Sequence, residues 1–222
     1  MNFLALCQRL RQEAGLSGTG PASVLSQTGE MKRVVDWIAS AYEDIQNLHE
    51  TWKFLRTDFS FSTIASTQDY TPAAASLTDF ASWVKDDIRI YSSVEDEYFL
   101  EYYPWAIFRQ AYYFGTHRTA TGRPTVVTVK PNNALCLWQI PNAIFTVNGE
   151  YYKSTQTMSA NADIPVLPTR FQMIIVWKGL MHYGAYAGAE EKYAHGNKEY
   201  TKLISMLEFD QLEDMTFGEP LA

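Results

Sequence analysis

The stretch Ile45-Gln46-Asn47-Leu48-His49-Glu50-Thr51-Trp52-Lys53-Phe54-Leu55-Arg56-Thr57-Asp58-Phe59-Ser60-Phe61-Ser62-Thr63 changes its hydrophobic period part-way along, and that change sets the fold class. Upstream of it, Met31, Val34, Val35, Ile38, Tyr42, Ile45, Leu48 and Trp52 recur at helical spacing, while Glu30, Lys32, Arg33, Glu43, Asp44 and Asn47 fall mostly elsewhere. The pattern predicts a long amphipathic helix from Thr28 onward. From Leu55 the period is two: Leu55, Thr57, Phe59, Phe61 and Thr63 alternate with Arg56, Asp58, Ser60 and Ser62, the signature of a strand with one apolar face.

Toward the amino terminus, Phe3, Leu6, Cys7, Leu10 and Ala14 predict a short helix over residues 2–14, with Asn2 as its cap and Gly15 as its stop. Residues 15–29, rich in Gly, Ser and Thr, read as a loop. Toward the carboxyl terminus, residues 65–82 read as a second loop carrying Tyr70 and Pro72, and Ile88 and Ile90 alternate with Arg89 and Tyr91. Tyr103-Pro104 opens a helix through Phe114. Thr125 to Val129, Ala134 to Ile140 and Ile144 to Tyr152, separated by proline and asparagine turns, predict an antiparallel meander. Helices follow from Thr169 to Tyr186 and from Ala189 to about Leu207, with Gly188 between them. Strands enclosed by helices at both ends, without regular βαβ alternation, predict an α+β fold. The expected organisation is a helical bundle of residues 1–53 and 165–207, an inserted antiparallel β subdomain with one helix over 54–164, and an acidic tail from 208 to 222.

The search for chemistry returns little. His49, His117, His182 and His195 show no metal-ligand spacing, and two cysteines, Cys7 and Cys136, cannot complete a four-ligand metal site alone. They read as small buried apolar residues. No GxSxG, GxxxxGK[ST] or GxGxxG pattern occurs. The pairs Asp86-Asp87 and Glu190-Glu191 and the triplet Glu95-Asp96-Glu97 do not converge by spacing alone. Arg118, Arg123 and Lys130 form one modest basic concentration, read as solvated surface, and Met173 to Trp177 reads as buried helix core. The net charge of −7 argues against a protein that grips nucleic-acid phosphates, and permits one through which DNA passes unheld. No run approaches a membrane span, and the start lacks signal-peptide features, so the expectation is a protein made in the cytosol. The 14 Tyr, 12 Phe and 6 Trp suit either a core or extensive interfaces.

The order of Leu137-Trp138-Gln139-Ile140-Pro141, then Tyr151-Tyr152-Lys153, then Asp163-Ile164-Pro165-Val166-Leu167-Pro168, then Ile174-Ile175-Val176-Trp177 in a helix, then Ala185-Tyr186-Ala187 and a second helix resembles the head-to-tail adaptor (connector or neck) proteins of tailed bacteriophages. The opening helix, Asp36-Trp37-Ile38, Ile45-Gln46 up to Trp52 and the aromatic strand are similar to the start of those proteins. The resemblance implies a structural, non-enzymatic virion protein with no cofactor. It implies a twelve-fold homo-oligomeric ring beneath the portal protein at the neck, assembled from the host cytoplasm and without a membrane partner. Such a ring extends the DNA channel, contacts the genome without specific binding, and presents a platform for downstream tail or nozzle proteins. It further implies that the carboxyl-terminal tail reaches the portal, with Phe209, Leu212, Phe217 and Leu221 as anchors, although the same residues also suit a disordered end. Two other classes remain open: an aromatic-rich carbohydrate- or receptor-binding virion module, and a hydrolase whose carboxylates are brought together by the fold.

Overall fold

In the computed structural model, which describes residues 1–212, five helices and eleven short strands are distinguished. The helices are α1 (Phe3–Ala14), α2 (Gly29–Gln46), α3 (Trp105–Ala111), α4 (Met173–Ala187) and α5 (Glu190–Gln211). The strands are β1 (Arg56–Ser62), β2 (Asp69–Tyr70), β3 (Phe80–Trp83), β4 (Arg89–Tyr91), β5 (Tyr98–Phe99), β6 (Glu101–Tyr102), β7 (Thr121–Gly122), β8 (Val126–Val129), β9 (Leu135–Trp138), β10 (Ile140–Pro141) and β11 (Thr146–Lys153). The fold is α+β. Two compact units result: Met1–Leu55 together with the chain from Thr155 on, and Arg56–Ser154.

In the helical unit, α1 is bounded as its sequence predicts. The Asn2 side chain accepts the Ala5 N–H at 2.9 Å, and Gly15, at φ 77°, closes the other end. The second helix is shorter than its stripe. It ends at Gln46, and Trp52 reaches the same core by folding back from a turn, its indole N–H donating to the Ile45 and Gln46 carbonyls at 3.2 and 3.1 Å. Those carbonyls belong to the last helical turn and have no partner within the helix, so the fully buried Trp52 acts as a cap. Leu48, on the same predicted stripe, is left exposed.

The central helix is α4, which packs against α1, α2 and α5. Ile174, Ile175, Val176 and Leu180 are buried, as the apolar Met173 to Trp177 run predicts. Gly179 permits the approach of α1 and α2: a β-carbon there would lie 3.0 Å from Leu10 Cδ2 and 3.2 Å from Ile38 Cδ1. The segment after β11 straps this bundle. Gln46, almost fully buried, donates to the Gln156 carbonyl at 3.0 Å and accepts the Gln156 N–H at 2.9 Å. The Tyr42 hydroxyl donates to Gln156 Oε1 at 2.5 Å and accepts the Val166 N–H at 2.9 Å. Asp163 accepts the N–H groups of Ser159 and Ala160, which hold its carboxyl below the usual range, and its carbonyl accepts the Phe3 N–H at 2.8 Å. The buried polar groups of this strap are thereby paired, the condition for burying them at all.

The second unit contains two main sheets, of order β1-β11-β4-β5, with β3 also on β11, and β2-β9-β8-β6, plus the small parallel pair β7 and β10. Phe59, Trp83, Ile90, Val147 and Tyr151 from the first sheet and Tyr70, Val127, Leu135 and Leu137 from the second form one core. Strand alternation puts every second residue there.

Two expectations change. The loop predicted over 65–82 contains β2 and the start of β3, because Tyr70 and Trp83 are both buried in this core. The predicted meander is only a β8–β9 hairpin: β11 lies in the other sheet, paired with β1 across seven residues on one side and with β3 and β4 on the other. Pro141, which has no N–H to continue a ladder, lies where the chain crosses between sheets. Pairing is antiparallel except for β6–β8 and β7–β10.

Candidate functional site: the exposed faces

The groups that could do chemistry are occupied structurally. Burial pushes the Cys7 thiol up to about 12 and raises that of Cys136 further; both are free and fully covered, in different units. His49 lies 3.1 Å from Glu208 and edge-on to Trp52, while His195 sits edge-on to Trp177. His182 is held below its usual pKa by burial first and by Lys178 second, and lies 3.6 Å from Asp44. Among the described residues no three His, Cys, Asp or Glu side chains are grouped to hold a metal ion.

Of the acidic clusters, Asp96 accepts the Ser92 and Ser93 N–H groups, both at 2.9 Å, and pairs with Arg123 at 2.9 Å. The backbone donors, Ser93 first, keep its carboxyl below the ordinary range. It is a turn-forming carboxylate. Of the predicted basic concentration, Arg123 and Lys130 are consumed by pairing, and Arg118 has no ion pair among the described residues.

Lys130 illustrates how the aromatic residues are used. Its ammonium donates to Asp69 at 2.6 Å and sits 4.9 Å from the Tyr113 ring centre and 5.4 Å from that of Trp105. Burial favours the neutral amine, but Asp69 outweighs it and leaves the pKa raised. This cage ties α3 to the outer face of the second sheet, where Phe108 packs on Val126 and Cys136 beside Tyr112 and Trp138. Lys130→Ala empties the cage and leaves Asp69 unpaired, and is expected to destabilise the β unit by about 1–2 kcal/mol. Urea titration reads the change; a loss under about 0.5 kcal/mol would mean that the cage is incidental.

All six tryptophans are buried or half-buried, so the indoles serve mainly the packing within each unit. The exposed apolar residues are others. On α5, Phe209 is 87% exposed beside Met206, and both line a groove of about 420 Å³ with Arg170, Phe171, Ser205 and Asp210, in which Arg170 and Asp210 form an ion pair. Phe209 therefore lies on the last turn of a helix that extends one turn beyond the predicted end near Leu207, and Leu212 follows it half-exposed. Phe217 and Leu221 lie outside the described residues.

In the β unit, the sheet faces differ. The second sheet's outer face is covered by α3. On the first sheet, the register aligns Ser60, Asn148, Arg89 and Phe99 in one row, with Asp58 opposite Glu150 beside it. These residues alternate with the core residues and line an open polar groove at Asp58, Ser60, Arg89 and Asn148. Exposed apolar side chains stand at Val94, Phe99, Ile107, Phe114, Ile64 and Ile144. The helix predicted through Phe114 ends at Ala111, so Phe114 stands beyond α3, while on α3 itself Phe108 is buried and the adjacent Ile107 faces outward.

Among the described residues, then, apolar side chains face outward in both units while cations such as Lys130 and Arg123 are tied into aromatic and acidic partners. A family model for the SU10 adaptor protein matches residues 1–220, across both units. The chain belongs to the SU10 adaptor family. No curated protein matches it. As an SU10 adaptor it is a bacteriophage structural protein, in agreement with the resemblance carried by its proline and aromatic motifs. No helix among the described residues is long and apolar enough to cross a membrane.

Proposed function

We propose that this SU10 adaptor assembles as a ring, twelve-fold by the resemblance, beneath the portal at the virion neck, extends the DNA channel and offers a platform to downstream tail or nozzle proteins. The observation that carries the reading is the family match over residues 1–220, which spans both units. Its surface chemistry supports the same reading. Cysteines, histidines and acidic clusters are covered, paired or scattered, whereas apolar side chains in both units remain open. The acidic balance suits a conduit that repels a duplex and does not hold it. Assembly takes place from the host cytoplasm.

Within this reading, Phe209, Leu212, Phe217 and Leu221 contact the portal, with Phe209 presented from the last turn of α5. A truncation at Glu208 would remove the partner of His49 and the ion pair of Arg170, so the cleaner variant keeps residues 1–212 and adds Phe209→Asp. Mixed with the purified portal and imaged by negative stain, the intact chain is expected to decorate the portal as a ring. The variant should lose portal association at least about tenfold, equal to about 1.4 kcal/mol, with an unchanged circular dichroism melt. Equal binding by the variant refutes the anchors; an intact chain that neither binds the portal nor occurs in purified particles refutes the ring. The carbohydrate-binding alternative needs an aromatic platform; no tryptophan is fully exposed to provide one, and the exposed Tyr186 and Tyr193 are the side chains a glycan-binding assay on the monomer would test.

A further inference from the structure

The charges of the β unit are segregated along the chain. Residues 86–101 carry Asp86, Asp87, Glu95, Asp96, Glu97 and Glu101 against Arg89 alone, whereas residues 102–149 contain no carboxylate and carry Arg109, Arg118, Arg123 and Lys130. Pairing within the unit accounts for Asp96 with Arg123, for Glu97 with Arg89 and for Lys130 with Asp69. Among the described residues, Glu95, Arg109 and Arg118 have no ion pair. The unpaired charges coincide with apolar relief. Val94, beside Glu95, is 83% exposed on the single helical turn Val94–Asp96 between β4 and β5, a projecting apolar knob at the edge of the first sheet. That turn is rigid, closed by Asp96 on two backbone N–H groups and clamped by Arg123. On the outward side of α3, over the other sheet, Ala106, Arg109, Gln110 and Phe114 line a groove of about 520 Å³, with Phe114, 73% exposed, as one wall.

We infer that these are two halves of one subunit contact: the Val94 turn of one copy seats in the α3 groove of the next, with Glu95 meeting Arg109. The occupant is a second copy of this chain because knob and groove match in polarity and in charge, and because they lie on different sheets. A contact between two different faces of the same subunit is heterologous, and repeated it generates rings or helical filaments instead of closed pairs. An apolar knob flanked by one complementary charge pair also helps fix register and disfavours wrong pairings. The inference rests on the ring reading above and names which faces meet.

The test uses the full-length chain with Val94→Cys and Phe114→Cys, separately and combined, and a short bismaleimide. The native thiols are buried, so the introduced ones react. Mixing the two single variants is expected to trap heterodimers, the combined variant should give a ladder, and each single variant alone should stay uncross-linked. Arg109→Glu in the groove copy should lower the cross-linking rate at least about tenfold, and Glu95→Arg in the knob copy should restore it. Self-cross-linking of either single variant, or no heterodimer in either the concentrated free chain or purified particles, overturns the contact. If the chain is found in particles and the cross-link fails, only the faces are wrong; if the cross-link forms and the chain is absent from particles, the neck reading fails and the contact stands.

Discussion

Trp52→Ala is expected to lower the stability of the helical unit by about 3–5 kcal/mol, the range for truncating a fully buried tryptophan. Two losses combine in it. The cavity removes the stacking partner of Phe54, 5.3 Å away, and the edge contact of His49. The deleted indole also leaves the Gln46 carbonyl without its donor at the end of α2 and removes one donor from the Ile45 carbonyl, which keeps the Leu48 N–H. Trp52→Phe separates the terms: it keeps most of the apolar volume and loses only the N–H, and is expected to cost about 1–3 kcal/mol. Urea titrations followed by far-ultraviolet circular dichroism read both. A loss below about 1 kcal/mol for the alanine variant would mean that Trp52 does not close the helix.

The second large effect is expected at Gly184, where α4 meets α5. A β-carbon there would lie 2.7 Å from the Tyr193 nitrogen and 2.9 Å from its Cα and Cβ. Because those atoms are mostly backbone, no rotamer change relieves the clash, and α5 itself must move. Alanine is intrinsically better than glycine inside a helix by about 1 kcal/mol, so local propensity alone predicts stabilisation. The contact predicts the reverse: about 1–3 kcal/mol of destabilisation for Gly184→Ala and more for Gly184→Leu. Gly196 works from the other helix, with its β-carbon position 3.0 Å from the Trp177 carbonyl oxygen. Thermal melts of Gly184→Ala decide the sign; a raised melting temperature would show that the helices are not held by this close approach.

Much of the fold was legible because its signals are local. Asn2 and Gly15 bound α1, Gly188 separates α4 from α5, and the passage from period 3.6 to period 2 after Trp52 marks the boundary between helices and strands. The family was legible as well, through motifs of proline and aromatic residues that recur in order over the whole chain. Capping and periodicity concern residues within a few positions of each other, which is the range over which a sequence pattern determines a backbone.

What the pattern left undecided depends on partners distant in the chain. The three strand-like runs from Thr125 to Tyr152 look alike, yet β8 and β9 pair while β11 joins the distant β1, with Arg56 opposite Tyr152. Glycines 184 and 196 look like weak points in helices until Tyr193 and Trp177 are seen against them. The exposed candidates divide in the same way: the place of Phe209 near the end is visible in the sequence, but its position on a helix, and the outward-facing Val94 and Phe114, are visible only in the fold. The sequence by itself determined the class of elements, their order and the family. Strand partners, helix approach and the faces left open for neighbours were decided by tertiary structure, because burial is a property of which distant surfaces meet and no local pattern encodes that choice.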